Sequence, residues 1–338
     1  MRRLMILVVA VVLLTPSTVL AGIKYLPSSD WTPQEEWVWK QVSQGEIADF
    51  NKAEGYGGKL SPRESEGWKE NRILRPKFLE TILLQEPYQN ALTHRGVRIV
   101  GAWFKEPVDL SNATIPSQLW LNGSRFEQDV DLSFLKLPSP LSLEGSVFIR
   151  SLDLGGAKIK TINMIGSTFK GTLNMNNLEV GGHLFMRDKA RFADVDLINA
   201  KIEGQLDMSS STFNGTLIMG GLEVESSLFM RDKAQFADVV LRGAKIKGQL
   251  SMIGSTFNGT LIMGSLEVGS SLFMRDKARF ADVDLRSAKI EGQLDMSSST
   301  FNGTLIMNGL EVGSSLFMRD KARFADVDLR GAKIEGQL

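Results

Sequence analysis

Two histidines are the first candidates for catalytic chemistry, because histidine changes its charge near neutral pH. His94 and His183 lie too far apart in the chain to act together, and neither is accompanied by a nucleophile and base. His183 stands where later parts of the chain have Ser227, Ser271 and Ser315. We therefore interpret both histidines as surface or turn residues. The chain has no cysteine, which excludes thiol catalysis and disulfides.

Methionine and aspartate are the remaining candidate metal ligands. Thioether sulfur suits Cu(I), and eight methionines recur every 22 residues: Met164, Met186, Met208, Met230, Met252, Met274, Met296 and Met318. An aliphatic residue two positions before each one predicts a packed core instead of a copper site.

Three Asp-x-Asp pairs contain carboxylates of the kind that bind calcium: Asp194/Asp196, Asp282/Asp284 and Asp326/Asp328. Val240 interrupts this series, and the glycine-rich nonapeptide of calcium-binding β-rolls is absent, so these aspartates are interpreted as solvated turn residues. The sequence predicts no catalytic residue, no cofactor and no metal site.

These candidates lie in a sequence that repeats from about Val97 to its last residue. The tract FMRDKA recurs at a period of 44 residues, which is the signature of a solenoid. Eleven phenylalanines, each with Ala or Ser two positions earlier, divide this period into coils of about 22 residues: Phe104, Phe126, Phe148, Phe169, Phe192, Phe213, Phe236, Phe257, Phe280, Phe301 and Phe324.

Each coil contains four triplets with apolar residues at positions i and i+2, such as Leu206/Met208 and Ser211/Phe213. This alternation predicts very short strands whose middle residue points outward. Gly, Asn and Ser between the triplets favour tight corners. The predicted fold is all-β: a right-handed parallel β-solenoid over residues 97–338, four-sided, with about eleven coils and a small N-terminal helical cap.

Several five-residue stretches, among them Val195–Asn199, Ala200–Gly204 and Ser211–Gly215, have a small residue, a polar one, then Leu, Ile or Phe. They resemble the pentapeptide-repeat family, whose fold is a quadrilateral β-helix. The coil here is wider, with 22 residues instead of the family's 20. The resemblance implies a fold and no particular activity, because that family is functionally diverse. Some bacterial relatives of this repeat style are labelled membrane-associated oxidoreductases, a label that no residue here supports.

Residues 22–96 differ in composition and are predicted to form a helical cap over the first coil at Val97 and Ile99. The capping box Thr32–Glu35, with Pro33 at the first helical position, predicts a helix that ends near Gly45. The similar tract Ser61–Glu64 predicts another helix start, and Pro76–Leu84 an apolar helix. Such a cap protects the end strands of a solenoid.

Residues 1–21 read as a secretory signal peptide. Arg2 and Arg3 precede an apolar run from Leu4 to Leu14, and Val19–Ala21 is a small-residue cleavage site. The run is too short for a comfortable membrane span, although an uncleaved anchor is the alternative. The sequence therefore predicts a periplasmic or extracellular protein, with membrane association left open and no integral span after cleavage.

Charge argues against nucleic acid as a partner. The 39 basic residues balance the 39 acidic ones. Neither a nucleic-acid binder nor a polyanion mimic is expected from such a composition.

The outward positions carry the only functional prediction. On one side Lys201, Glu223 and Lys245 begin an alternation of charge that would fix the register of the coils. Two apolar rows are candidate interaction residues, one of Phe185, Phe229, Phe273 and Phe317, the other of Ile218, Ile262 and Ile306. Two interpretations of the phenylalanines stay open: an exposed binding stripe, or rings covered by the neighbouring Arg187–Lys189 tract and its repeats.

The sequence thus favours a non-enzymatic structural or interaction protein, a rigid rod that presents a repeated face to a protein, an envelope surface or a second copy of itself. The first alternative is a carbohydrate-active β-helix enzyme, although the coils carry no insertions that would build a cleft. The second is ice or mineral binding by threonine rows such as Thr212, Thr256 and Thr300, which recur only in every second coil.

Overall fold

A computed structural model describes residues 26–337, so the predicted signal peptide lies outside the described residues. The cap contains three α-helices, α1 (Pro33–Ser43), α2 (Pro76–Leu84) and α3 (Tyr88–Ala91), and a 3₁₀ turn at Glu70–Arg72. Within residues 26–337 no helix is long and apolar enough to cross a bilayer.

The cap helices begin and end for local reasons. Thr32 accepts a hydrogen bond from the Glu35 amide, and the Glu35 side chain accepts one from the Thr32 amide, which confirms the predicted capping box. Gly45 has φ +76° just beyond α1, a conformation that glycine adopts without strain. The helix predicted to start at Ser61 is wrong: residues 61–69 form turns. No apolar face follows Ser61, and Arg63 instead donates hydrogen bonds to Thr168, Gly166 and Lys189 of the solenoid.

The cap also pairs with the first coil. Strand β1 (Ala48–Asp49) runs parallel to Val97–Val100, with Ala48 opposite Ile99. Ile73 forms a second parallel bridge, to Trp103. Two edges of the first coil therefore have partners, which protects them from pairing with another chain.

The solenoid has four strand positions in each coil, and we name its sides from their outward or stacked residues. The Met side and the Lys/Glu side belong to one parallel sheet, the Phe side and the Ile side to another. Counting from Val97, the Met-side strands number the coils 1 to 11.

The Met side contains Val97–Val100, Leu119–Asn122, Leu184–Phe185, Leu206–Asp207, Leu228–Phe229, Leu250–Ser251, Leu272–Phe273, Leu294–Asp295 and Leu316–Phe317. The Phe side contains Trp103–Phe104, Arg125–Phe126, Val147–Phe148, Thr168–Phe169, Arg191–Phe192, Thr212–Phe213, Gln235–Phe236, Thr256–Phe257 and Arg279–Phe280.

The Ile side contains Val108–Asp109, Val130–Asp131, Leu152–Asp153, Leu173–Asn174, Val195–Asp196, Leu217–Ile218, Val239–Val240, Leu261–Ile262 and Val283–Asp284. The Lys/Glu side contains Glu179–Val180, Lys201–Ile202, Glu223–Val224, Lys245–Ile246, Glu267–Val268, Lys289–Ile290, Glu311–Val312 and Lys333–Ile334. Four longer strands turn a corner: Lys136–Ser142 and Lys158–Asn163 join the Lys/Glu and Met sides, and Thr300–Ile306 and Arg323–Asp328 join the Phe and Ile sides.

The core consists of stacked identical side chains, as the spacing predicts. The eleven phenylalanines stack face to face, with ring centroids 4.5–5.2 Å apart and interplanar angles of 2–17°. Seven of the eight predicted methionines are completely buried, and Met318 is partly buried against the same core. The interpretation of these methionines as core is confirmed.

Two kinds of coil alternate, and this is why the sequence repeats every 44 residues and not every 22. At the corner before the Met side, the Gly248 amide donates to the Ser226 carbonyl of the previous coil at 2.7 Å. A Cβ on Gly248 would lie 2.7 Å from that carbonyl oxygen. At the corner after the Phe side, the Thr260 amide donates to Asp238 Oδ1 at 2.8 Å. The corner that contains Gly248 thus packs on the corner that contains Ser226 in the previous coil. In the same way, the Asn258–Gly259 corner packs on the Ala237–Asp238 corner.

Candidate interaction face

The predicted phenylalanine row lies on the Met side and alternates with smaller residues along the rod. Phe185, Phe229, Phe273 and Phe317 occupy the outward position of every second coil. Asp207, Ser251 and Asp295 occupy the same position in the coils between them. Each ring is half-buried.

An arginine guanidinium lies over every one of these rings. Its central carbon is 5.2 Å from the ring centroid for Arg187 over Phe185 and 4.3 Å for Arg231 over Phe229. The distances are 5.0 Å for Arg275 and 4.3 Å for Arg319. Such a cation–π contact is worth about 0.5–1 kcal/mol at an exposed site. The row is therefore a series of half-exposed rings with one guanidinium on each.

The arginines are placed by an extra residue in the corner that follows them. Met186 and Phe192 are six positions apart in the sequence, whereas Met208 and Phe213 are five positions apart. The longer corner is built from two successive left-handed residues, Asp188 with φ 58° and Lys189 with φ 69°. Left-handed backbone costs a non-glycine residue roughly 1–2 kcal/mol. The same pair of conformations recurs at Asp232/Lys233, Asp276/Lys277 and Asp320/Lys321.

Carboxylates in the intervening coils join the arginines along the rod. Arg187 Nε lies 3.6 Å from Asp207 Oδ2, and Arg275 Nη1 lies 3.3 Å from Asp295 Oδ2. Both aspartates are at most 7% exposed. Asp207 also accepts hydrogen bonds from the Ser209 amide at 3.0 Å and the Ser209 hydroxyl at 2.6 Å. The outward face of the Met side is a row of rings and guanidinium groups with carboxylates in coils 6 and 10 and Ser251 in coil 8.

The isoleucine row is a separate stripe. Ile218, Ile262 and Ile306 are half-buried on the Ile side, with the Phe side lying between them and the phenylalanine row in each coil. Near them Arg286 binds Asp284 with both ends of its guanidinium, at 2.6 Å and 3.0 Å, and this hydrogen bonding lowers the pKa of Asp284. The structure does not combine the two predicted rows into one site.

The histidines and the Asp-x-Asp pairs have structural contacts. His183 Nδ1 accepts the Gln205 amide at 3.1 Å, as Ser227 Oγ accepts the Gln249 amide at 3.2 Å. His94 is exposed at the junction of cap and solenoid. Asp194 accepts the Thr216 amide of the next coil at 2.9 Å. Asp196 accepts the Ile198 amide at 3.0 Å.

Sequence reasoning missed a groove along the Lys/Glu side. It has a volume of about 700 Å³, and its floor includes Ile159, Val180 and Ile202. One wall is the predicted charge alternation, in which Lys158 lies 2.9 Å from Glu179 and Lys201 lies 3.6 Å from Glu223. The other wall is a second charged row, two residues further along each coil: Lys160, Glu203 and Glu225. In the sequence this second row follows the coil spacing, interrupted by Gly181, Gly269 and Gly313, and could have been found there.

No protein-family model matches this sequence, and neither a curated protein nor a solved structure is significantly similar to it.

Proposed function

We propose that this chain is an exported, non-enzymatic interaction protein, a rigid rod whose Met side binds a repetitive partner such as an envelope component or another copy of the chain. We also propose that it is a widened relative of the pentapeptide-repeat proteins, on the basis of its coil of about 22 residues and its four-sided parallel architecture.

One observation carries this proposal. The pair formed by an outward Phe and the Arg over it occurs four times on one side, always two coils apart, or roughly 9.6 Å by strand spacing. The core of the coil needs only the inward residues, so the outward pairs need a different explanation. Aromatic and arginine side chains are the types most enriched at interaction sites.

The test replaces Phe185, Phe229, Phe273 and Phe317 together with Ser. We expect the fold to be kept and association to be lost in sedimentation and pull-down experiments. The matched control also introduces four serines, in place of outward lysines of the Lys/Glu side that have the same spacing: Lys201, Lys245, Lys289 and Lys333. This control should leave association unchanged. Association that survives in the phenylalanine variant would remove the Met side as the site.

Export is tested separately, on the predicted signal at residues 1–21. We expect the mature chain to start at Gly22 and to be found outside the cytoplasm. Mass spectrometry of the native protein measures the N-terminus directly. An intact residue 1–21 segment on cytoplasmic protein would contradict this part of the proposal.

The groove on the Lys/Glu side favours a second candidate function, the binding or cleavage of a polysaccharide. It runs parallel to the rod axis and carries the carboxylates of Glu203 and Glu225. Glu225 forms an ion pair with Lys247. Glu203→Gln and Glu225→Gln should abolish release of sugars from an envelope polysaccharide if this function is correct, and should not alter association through the Met side.

A further inference from the structure

The Met side contains an internal comparison, because coils 6, 8 and 10 place different residues between two Phe-Arg pairs. Asp207 lies between Phe185 and Phe229, and Asp295 lies between Phe273 and Phe317. Each carboxylate pairs with the arginine of the coil before it. Each also accepts an amide two residues on, from Ser209 at 3.0 Å and from Ser297 at 2.9 Å.

Coil 8 has Ser251 at this position, between Phe229 and Phe273. Ser251 is completely buried. Its hydroxyl oxygen is buried without a hydrogen-bond partner among the described residues. Arg231 Nε also lacks one, as do Arg187 Nε and Arg275 Nε, so the unpaired Ser251 hydroxyl is the feature that sets coil 8 apart. The Asp232 carboxylate lies 3.4 Å from Arg231, but that pairing has counterparts at Arg187 and Arg275 and does not replace the missing aspartate.

Compared with coils 6 and 10, coil 8 lacks the negative charge of an aspartate because it has Ser251 at this position. The groups that bind that charge in the other two coils are still present in coil 8. The Arg231 guanidinium corresponds to Arg187 and Arg275, and the Ile253 amide corresponds to the amides of Ser209 and Ser297. A buried polar group without a partner costs about 1–3 kcal/mol. A serine side chain also has two non-hydrogen atoms fewer than an aspartate side chain. An anion next to these donors would take the place of those two atoms.

We propose that Arg231, Ser251 and the Ile253 amide bind one small monovalent anion, chloride or a carboxylate the size of formate, at the position where Asp207 and Asp295 have their carboxylates. All three groups can donate a hydrogen bond, and the local charge is one unit more positive than in coils 6 and 10. An anion satisfies donors and charge together, whereas water satisfies only the donors. The burial of Ser251 limits the site to small ions. This inference does not depend on the proposed partner.

The test compares thermal unfolding in sodium chloride and in sodium gluconate at equal ionic strength, because gluconate is too large to enter. The wild-type midpoint should rise by about 2 °C more in saturating chloride. Ser251→Asp supplies the carboxylate in cis, so it should raise the midpoint and remove the difference between the two salts. Asp295→Ser creates a second site in coil 10 and should increase the difference.

A second measurement avoids unfolding. The line width of ³⁵Cl in solution reports exchange of chloride with the folded protein, and it should be reduced to the bulk value by Ser251→Asp. Equal salt responses of the wild type and Ser251→Asp would overturn the proposal, as would a wild-type line width equal to that of Ser251→Asp. Either result would mean that water alone satisfies these donors.

Discussion

At the scale of single residues, the direction of each side chain follows from its place in a three-residue strand. Phe257 is 2% exposed and stacks between Phe236 and Phe280 at 4.8 Å and 5.1 Å. Thr256, its neighbour in the chain, is half-buried and faces outward. One step along the backbone therefore separates a position that packs in the core from one that faces solvent.

This difference gives the first prediction. Phe257→Asp should destabilise the protein by roughly 3–5 kcal/mol, because it removes a stacked ring and buries a carboxylate. Thr256→Asp is the matched control and should change stability by no more than about 0.5 kcal/mol. Denaturant unfolding of both variants measures the difference. Equal effects would contradict the assignment of inward and outward positions.

Residue types and their spacing were sufficient to predict the Phe stack, the Met core and the outward rows. They were not sufficient for contacts that depend on an inserted residue or on a missing partner. The guanidinium over Phe229 depends on the left-handed corner at Asp232 and Lys233, which the sequence shows only as one extra residue. The unpaired hydroxyl of Ser251 becomes visible only when its hydrogen-bond partners are counted.

At the scale of elements, the cap was predicted in part. The capping box and the apolar pattern of α1 and α2 were strong enough to determine helices from local sequence alone. The tract at Ser61 has the same start signal without an apolar face, and Arg63 instead donates hydrogen bonds to acceptors on coils 4 and 5.

Arg72 is a second cap residue whose contacts depend on distant parts of the chain. It is completely buried and donates to the carbonyls of Tyr56, Phe50, Gly58 and Gly101, which no local pattern could indicate.

The cap also contains an acid-sensitive ion pair. Glu35 is completely buried and binds Arg75 Nη2 at 2.6 Å, and it accepts the amides of Thr32 and Arg75. Burial raises the pKa of Glu35, but the hydrogen bonds from Arg75 and from the two amides outweigh burial, and the pKa is lowered overall. A lowered pKa in the folded state means that this stabilisation is complete above the ordinary carboxyl pKa and is lost as the pH falls through the folded-state value.

The second prediction follows from that pair. Glu35→Gln should destabilise the cap by about 2–3 kcal/mol at neutral pH, because it leaves the Arg75 guanidinium without its carboxylate. The penalty should shrink as the pH falls, since acid protonates Glu35 in the wild type. Hydrogen exchange of α1 at pH 7 and pH 3 measures both effects. Glu36→Gln, on the exposed face of the same helix, is the control and should have little effect at either pH.

At the scale of the whole molecule, the unit of structure is two coils. Four features alternate with this period: the Phe-Arg pair, the glycine corner on a Ser corner, the Asn-Gly corner on an Ala-Asp corner, and the Lys/Glu charge. In a solenoid each coil contacts only its neighbours, so stability is close to a sum of coils and interfaces between them. An interface between two coils of the same kind would lose all four matches.

The last prediction tests this unit by deletion. Removing residues 228–271 joins coil 6 to coil 9 and keeps every match: Asp207 meets Phe273, Glu223 meets Lys289, and Gly292 meets Ser226. This variant should fold with the same near-UV circular dichroism spectrum, and small-angle scattering should show a rod shorter by roughly 9.6 Å.

Removing only residues 228–249 joins coil 6 to coil 8, so that Glu223 faces Glu267 and the Thr260 amide loses Asp238. These two losses should make the smaller deletion about 1 kcal/mol less stable than half of the effect of the larger deletion would predict, since like charges repel across the join and the Thr260 amide loses its acceptor. If denaturant unfolding shows that the smaller deletion loses half as much stability as the larger one, single coils are interchangeable and the 44-residue period of the sequence has no structural cause.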